Sequence, residues 1–457
     1  MTNTTESLAR WISSLKYEAL PAEVVYKAKL CLADSIACMV GGVDLAPSKI
    51  LLKVLSSSSQ GSVALPGIST RLGLLDAAYY GAQTANALDF DDDLIGHPGA
   101  TVNPIALAVG QLSDVDGRHL LSAIVAGYEV SVRIAEAIMP TYERAQTVFG
   151  FSTWQTFGAL VSAAKLLSLS GAEIENAMGL AGAQAPVPNV RKFIDGNRAS
   201  SWIKNAYGIA GRIGVLSAQL AADGYVGNRN IFDGPSGFWI MSGSDQFRRE
   251  LAVNGLGYIW KITDVNFKAY ACCYWLQTML DAAESLRGVL EVAAVKSIEI
   301  HAFREISVRF GGALPNSIFE AQFHAPYLAA LQLLDRSPAQ GLREEDLFDP
   351  KVIALAQKVT LLHDPEMDCA FRHCDLYPVR IVARDKVGSF KAFVERPRAA
   401  EKSSEVEDLV RRKFLSILSV KLGKQATIDA WNMIYAIENH SVNDLMKILG
   451  RESTEIC

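Results

Sequence analysis

Hydrophobic residues recur every three or four positions from Leu8 to about Gly227, in stretches that are separated by short breaks of Gly, Pro, Asn or Asp. This spacing is typical of helices with a buried face. The clearest patterns cover Val24 to Val40, Leu72 to Ala87, Val102 to Val115, Leu121 to Met139, Thr153 to Leu167 and Ile203 to Ala222. Small residues such as Ala33 and Ala37 lie between larger apolar ones, which lets helix axes approach closely. The pattern therefore predicts a tight helical bundle.

The pattern changes after about Gly257, where β-branched and alternating residues become frequent. We predict strands at Tyr258 to Val265, Val295 to His301, Val359 to His363, Tyr377 to Arg384 and Ser389 to Glu395. Helical patterns lie between them at Cys273 to Leu286, Ala325 to Leu334 and Lys351 to Lys358. This part of the chain is therefore expected to mix helices and strands.

The helical pattern returns from Ser403 onward, through Val406 to Leu418, Lys424 to Ile437 and Val442 to Leu449. The predicted fold is mainly α with an α+β part. A large all-helical domain is expected from residues 1–266 and 399–457, with a smaller α/β lid domain inserted at 267–398.

Composition excludes several function classes. The 457 residues carry a formal net charge of −5, which favours neither nucleic acid nor an anionic membrane as a partner. No apolar run reaches the roughly 18 residues of a spanning helix. The seven cysteines include no paired C-x-x-C motif, which fits a reducing compartment better than a disulfide framework. We expect a cytoplasmic protein.

One acidic run marks a candidate site. Asp89, Asp91, Asp92 and Asp93 follow a helical pattern, and His97 comes shortly after them on a Pro-Gly turn. Like charges this close raise one another's pKa, and a neighbouring histidine is a natural acid/base partner. The run therefore suggests proton transfer.

Several segments, in this order along the chain, resemble the MmgE/PrpD family. They are Leu32 to Cys38, Ala87 to Asp92 with His97-Pro98, Gly127 to Val130, the Lys204 helix ending in Leu220 to Gly227, Phe267 to Cys273, and Ala321 to Tyr327. The resemblance implies a cofactor-independent homodimer that acts on small di- or tricarboxylates. Its active site would lie between the helical domain and the lid.

The resemblance also implies site residues. Asp89 matches an active-site acid, His97 the catalytic loop histidine, Lys204 and Lys268 two active-site lysines, and Tyr327 a lid tyrosine. Removing a proton next to a carboxylate needs a base on one side and fixed positive charge on the other, and these residue types supply both. We expect a lyase that dehydrates a citrate-like, 2-methylcitrate-like or aconitate-like acid. Decarboxylation of the cis-aconitate type, epimerisation and isomerisation stay open as alternatives.

The chain departs from the family pattern at two places. Ser152 replaces a site histidine, so it is expected only to bind substrate, whereas His324 stands where the lid usually has serine. We hypothesise that His324 supplies the missing imidazole; the alternative is that it only packs at the domain boundary. Arg191, Arg304 and Arg309 are further candidates for binding a carboxylate, because an arginine fork matches its two oxygens.

Two other classes of function start from the same residues. Asp89, Asp91 and Asp93 would suit Mg²⁺ in a helical-bundle synthase, but the sequence offers no convincing second acidic motif, so no metal is expected. A catalytically inactive, carboxylate-binding dimer is the other alternative, because Ser152 removes one histidine. With Asp89 as the acid of the site, Asp91, Asp92 and Asp93 are expected to be ordinary loop or helix-end groups.

Overall fold

The structure is a computed structural model that describes residues 2–58, 61–195, 204–398 and 403–450. Its helices in the first part of the chain are α1 (Thr4–Ser14), α2 (Ala22–Gly42), α3 (Ala46–Ser58), α4 (Leu74–Ala85), α5 (Pro98–Leu112), α6 (Gly117–Ile138), α7 (Tyr142–Ala145), α8 (Ser152–Leu166), α9 (Gly171–Gln184), α10 (Val190–Asp195), α11 (Tyr207–Ala222), α12 (Phe238–Met241) and α13 (Arg249–Val253). The predicted helical first half is therefore confirmed.

Strands and shorter helices alternate in the next part. They are α14 (Gln277–Ser285), β1 (Ser297–Ala302), α15 (Arg304–Arg309), α16 (Ile318–Ala321), α17 (Ala325–Leu333), α18 (Pro350–Ala356), β2 (Val359–His363), α19 (Pro365–Cys374), β3 (Val379–Arg384) and β4 (Ser389–Val394). The chain then ends in α20 (Ser403–Leu422), α21 (Lys424–Tyr435) and α22 (Val442–Leu449). The fold class, mainly α with an α+β part, is confirmed.

Helix α8 lies at the centre of the bundle, against α5, α6, α9 and α11. The approach of α11 to α8 requires glycine, because a Cβ on Gly214 would lie 2.6 Å from the backbone nitrogen of Leu160. Fourteen of the fifteen residues of α8 are buried, so the helix is enclosed on all sides and not along one face only. The small residues of the sequence thus allow the close packing expected of them.

The sheet has the order β2-β1-β3-β4, in which β1 and β2 are parallel and the other pairs are antiparallel. Ile298 of β1 pairs with Val359 of β2 on one side and with Ala383 of β3 on the other. Buried and half-buried residues alternate along β1, so one face of the sheet meets apolar residues.

Buried apolar residues form two large clusters. One is drawn from the first part of the chain and from α20 to α22, and the other mainly from residues 270–383. Val190, Phe193 and Ile194 of α10 pack with the second cluster although they come from the helical first half. The domain limits at 266/267 and 398/399 stay a prediction.

Two local predictions were wrong. Tyr258 to Val265 forms a turn and a 3₁₀ helix, Lys261–Asp264, instead of a strand, because the Arg133 guanidinium binds the carbonyls of Gly255 and Ile259 and holds this segment against α6. The helix predicted from Ile203 to Ala222 is α11, which begins at Tyr207, so Lys204 precedes it, and Ile203 lies outside the described residues.

Among the described helices, none alone has both the length and the hydropathy to cross a membrane. Ala22–Gly42 and Ala46–Ser57 satisfy these criteria only as a pair, and the two are bent by 89° at the break between them.

Candidate active site

Two lysines from distant parts of the chain contact the same oxygen of Asp89. The ammonium groups of Lys204 and Lys268 each lie 2.6 Å from Asp89 Oδ1, and Lys268 also donates to the Asp89 carbonyl at 2.8 Å. Asp89 and Lys268 are fully buried, whereas the Lys204 side chain is 10% exposed. Burial would raise the pKa of Asp89, but the two lysines hold it well below its usual range. The same carboxylate, with Asp91 and Asp93, keeps the pKa of Lys268 high against its burial.

His97 lies beside this cluster, with its Nε2 atom 3.6 Å from Asp89 Oδ1. Its Nδ1 atom lies 3.0 Å from the carbonyl oxygen of Asp92. Because a carbonyl only accepts, Nδ1 carries the proton and Nε2 keeps a free lone pair. Burial, together with Lys268 and Lys204, lowers the pKa of His97 well below its usual value. The imidazole is therefore neutral near pH 7, as a general base must be.

The chain between α4 and α5 makes tight turns that bring these groups together. Asp89 has a φ of 48° and Ile95 a φ of 50°, a left-handed conformation that is unusual for a β-branched residue. Gly96 follows with a φ of 107°, and a Cβ there would lie 2.8 Å from both Gln155 Nε2 and Phe151 Cβ. Backbone strain of this kind persists where packing holds it, commonly at functional sites.

A backbone bridge joins the acidic run to the segment that carries Lys268. The Asp93 amide donates to the Asn266 carbonyl at 2.8 Å, and the Asn266 amide donates to the Asp93 carbonyl at 3.0 Å. Lys268 follows two residues after Asn266, so this bridge fixes how Lys268 meets Asp89.

The remaining aspartates lie in the loop, as predicted, but Asp91 and Asp92 are fully buried and Asp93 is half-buried. Asp91 accepts from Asn86 Nδ2 at 2.9 Å and lies 3.4 Å from His97 Nδ1. Asp92 accepts from the hydroxyl of Tyr128 and from the Gly99 amide at the start of α5. Burial raises the pKa of all three carboxyls, to about 7 for Asp91 and Asp93.

The site carries positive charge despite its four aspartates. Below about pH 7, where Asp91, Asp92 and Asp93 are protonated, two ammonium groups face the one ionised carboxylate of Asp89, which leaves one unit of excess positive charge. Three helices also begin around the His97 ring: α5 directly after it, α8 after Phe151 (6.0 Å away) and α11 at Tyr207 (5.9 Å away). Helix N-termini favour anions. The arrangement therefore suits an anionic substrate with more than one carboxylate.

The α/β part contributes one edge of the site. The Phe323 ring lies 5.0 Å from the Lys204 ammonium, and Gln322 Nε2 donates to the Ala87 carbonyl at 2.9 Å. His324 caps α17, its Nδ1 accepting from the Tyr327 amide at 3.1 Å. The Tyr327 phenol is buried, and burial and Asp346 raise its pKa. The proposed roles of His324 and Tyr327 stay predictions.

The other predicted binding residues are Ser152 and three arginines. Ser152 starts α8 next to Phe151 and is fully buried; within the described ranges its hydroxyl has no hydrogen-bond partner. Arg191 donates to the Ala145 carbonyl, Arg309 donates to Gln146, and Arg304 is exposed with its backbone amide bound to Asp368. The structure thus joins His97, Asp89, Lys204 and Lys268 directly, while the arginines have other partners.

The alternative metal site meets a physical objection. Single ligand atoms of Asp89, Asp91 and His97 all lie within 4.8 Å of one another, which is a possible metal-binding group. However, the Asp89 oxygen already accepts from two ammonium groups, and a divalent cation there would face both charges. The donor set fits a carboxylate ligand better than Mg²⁺.

Sequence reasoning assigned no role to several groups that shape this site. Asn86 and Tyr128 hold the carboxyls of Asp91 and Asp92, and Tyr207 places its ring edge-on against His97. The Gly127 to Val130 segment was part of the family resemblance, but nothing in its pattern shows that Tyr128 reaches Asp92. Only the packing of α6 against α5 reveals that contact.

Comparison with known proteins identifies the family of this chain. Residues 6–250 match the MmgE/PrpD N-terminal domain, and residues 270–434 match the MmgE/PrpD C-terminal domain. The chain belongs to the MmgE/PrpD family. The resemblance stated from the sequence is therefore confirmed, and the site described here lies at the meeting of the two matched regions.

Curated relatives of this MmgE/PrpD chain carry related names. It is 26% identical to a cis-aconitate decarboxylase-like protein, oryM, of Aspergillus oryzae, over 98% of each chain. It is also 26% identical to cis-aconitate decarboxylase of Aspergillus terreus, over 89% of this chain and 88% of that one. Human cis-aconitate decarboxylase matches at 26% over 79% of this chain and 77% of its own length. These relatives support a dehydratase or decarboxylase role at the level of the family.

Proposed function

We propose that this MmgE/PrpD protein is a lyase that removes a proton next to a carboxylate of a small di- or tricarboxylate and then eliminates water. The observation that carries the proposal is the neutral His97 imidazole, whose free Nε2 lies beside one carboxylate oxygen shared by two lysines. A neutral base supports proton abstraction as the first step.

The lysines supply the charge that this step needs. Proton removal moves negative charge onto the substrate carboxylate, and Lys204 and Lys268 offer buried ammonium groups to stabilise it. On binding, the substrate carboxylate would share with Asp89 the excess positive charge of the cluster. The hydroxyl group then takes up the proton that His97 gained and departs as water, and the double bond forms.

Decarboxylation of the cis-aconitate type is the second candidate, because the named relatives at 26% identity are cis-aconitate decarboxylases. It differs from dehydration in the bond that breaks after the substrate is bound. The carboxyl group leaves as CO₂, and the resulting carbanion takes up a proton. This reaction would use His97 in its imidazolium form as the proton donor instead of as a base, and the same two lysines would stabilise the negative charge.

The test incubates purified protein with 2-methylcitrate, citrate, cis- and trans-aconitate and iminodisuccinate in deuterated water and follows products by NMR. We expect loss of water from a hydroxy acid, accompanied by exchange of the adjacent proton. Release of CO₂ would instead establish decarboxylation. Binding without exchange or product would favour the inactive carboxylate-binding protein.

A matched pair of variants tests the base. His97→Asn is expected to lower turnover about 10²- to 10⁴-fold. His119→Asn changes a histidine of α6 that lies outside the site and contacts the Lys165 carbonyl, so it serves as the control. Equal activity of both variants would contradict the role of His97. The homodimer expected from the family stays a prediction, which light scattering of the purified protein checks.

A further inference from the structure

Tyr207 places a phenol at the centre of the site. It is the first residue of α11 and is fully buried, and its ring meets the His97 imidazole edge-on at 5.9 Å between centroids. Asp91 and Asp89 lie close enough that, together with burial, they raise the pKa of the phenol well above its usual value. The Tyr207 hydroxyl is therefore protonated at any physiological pH, and it can donate this proton in a hydrogen bond.

The hydroxyl proton of Tyr207 meets no acceptor in the part of the chain that the structure describes. A buried donor left unsatisfied is costly, and native proteins rarely keep one without a reason. Tyr128 shows the ordinary case nearby: its hydroxyl donates to Asp92 and accepts from Asn103 at 3.0 Å. Among the described residues, Tyr207 thus differs from its buried neighbour in having no acceptor for its hydroxyl proton.

An unsatisfied phenol alone does not mark a site. Tyr80 of α4 is also buried, and its hydroxyl too has no partner among the described residues, but the charged group that acts on it is Asp44 rather than the acidic run. The second observation is that the Tyr207 ring lies against the His97 imidazole and that its phenol is under the influence of Asp91 and Asp89. Tyr80 supplies a matched control for it.

We propose that the Tyr207 hydroxyl donates a hydrogen bond to the substrate carboxylate next to the carbon from which His97 takes the proton. The inference rests on the proposed function. His97 Nε2 gains the proton, and the electron pair of the broken C–H bond passes into the carboxylate, which becomes enediolate-like. Tyr207 keeps its own proton throughout, and its hydrogen bond strengthens as charge grows on the oxygen that it contacts.

The experiment compares Tyr207→Phe with Tyr80→Phe, since each removes a single buried hydroxyl. We expect Tyr207→Phe to lower kcat about 10²-fold, the typical effect of removing one donor to a developing oxyanion. Its affinity for propane-1,2,3-tricarboxylate, measured calorimetrically, should fall only about fivefold, because the bond in the ground state is weaker. Its melting temperature should be unchanged or higher, because an unsatisfied donor is lost. Tyr80→Phe should keep the wild-type kcat and affinity.

The two proposals fail in different ways. If wild-type protein turns over a substrate and Tyr207→Phe keeps kcat within twofold, Tyr207 has no such role, although the proposed function stands. If wild-type protein turns over none of the acids but binds the tricarboxylate, the proposed function fails. The affinity of Tyr207→Phe for the tricarboxylate then shows whether Tyr207 donates a hydrogen bond to the ligand. If wild-type protein neither reacts with nor binds these acids, both are overturned.

Discussion

Two buried lysine–aspartate clusters lie on either side of Phe90, and they differ in stoichiometry. Lys413 of α20 forms a single ion pair with Asp34 of α2 at 2.6 Å and also donates to the Phe90 carbonyl at 2.7 Å. Asp89, the residue before Phe90, instead accepts from two lysines. All the carboxylates and lysines involved are at least nine-tenths buried.

The carboxyls respond oppositely to the same burial. The pKa of Asp34 is raised, because burial outweighs its one lysine. The pKa of Asp89 is lowered, because two lysines outweigh burial. A one-to-one pair is neutral and joins two helices, whereas two lysines on one carboxylate leave a positive charge as long as Asp91 and Asp93 are protonated, below about pH 7. The ratio of charges, more than burial, separates a structural pair from a ligand site.

The largest expected effect comes from removing one lysine of the two-lysine cluster. Lys268→Met should lower kcat/KM about 10³-fold, since loss of a buried charged partner costs roughly 4 kcal/mol in recognition. Folding stability should change little, because Lys204 still neutralises Asp89. Steady-state kinetics with thermal melting checks both. A large stability loss with normal kinetics would make this cluster structural as well.

The same change in the other cluster should act on stability. Lys413→Met leaves Asp34 buried without a partner and should cost about 3 to 5 kcal/mol of unfolding free energy, with kcat/KM of the folded fraction within about fivefold of wild type. Urea unfolding measures the first quantity. The double variant Asp34→Asn with Lys413→Met should regain at least half of the loss. If Lys413→Met impaired catalysis as much as Lys268→Met, the distinction between a structural ion pair and a ligand site would be wrong.

A lid residue tests whether the two-lysine cluster works with a second imidazole. His324→Ala should lower turnover about 10²-fold if the lid histidine moves a proton, the value at the low end for general acid–base catalysis. Because the Nδ1 of His324 caps α17, alanine also removes the cap, at about 1 kcal/mol. His324→Asn keeps a capping side chain without an imidazole. Restoration of both stability and turnover by asparagine would reduce His324 to a capping residue.

The smallest expected effect is on pH dependence. Asp91 has a pKa of about 7 and lies 3.4 Å from His97 Nδ1, so its ionisation should favour the imidazolium and raise kcat/KM as the pH rises through 7. Asp91→Asn should flatten this limb. Burial raises the folded pKa, so the stability contribution of Asp91 is complete below about pH 4 and is lost as the pH rises through 7.

Asp91→Asn should therefore also remove part of the fall in unfolding free energy between pH 4 and 7. Melting curves across that range measure it. An unchanged limb near pH 7 in the rate profile would assign the titration to another group, for which Asp93 has the same raised pKa.

Regular elements were predictable wherever periodicity was strong. The predicted and observed bounds are the same for the strand Val359 to His363 and the helix Val442 to Leu449, because the alternating or helical pattern of each stops at a charged or turn residue. Tyr258 to Val265 has the composition of a strand but no strand partner, and Arg133 instead takes two carbonyls of the adjoining turn. The local sequence pattern contains no information about a distant side chain that binds these carbonyls.

Part of the candidate site could be predicted from the sequence. His97, Asp89, Lys204 and Lys268 could be named from the family resemblance, and the structure brings them within hydrogen-bond or ion-pair distance. Tyr207 was not identified as functional, because a tyrosine at the start of a helix usually packs in the core. Its significance depends on facing His97 with a hydroxyl that the described chain leaves unsatisfied.

Periodicity and short motifs are local properties of the chain, and they were enough to predict the helical bundle, most of the strands, the family and the residue types of the site. Which charges meet became visible only in the packed molecule. Lys204 and Lys268 are 64 residues apart and converge on one Asp89 oxygen, whereas Lys413 goes to Asp34, 379 residues away. Electrostatic energy depends on distance in space and on burial, and both are fixed only when the helices pack.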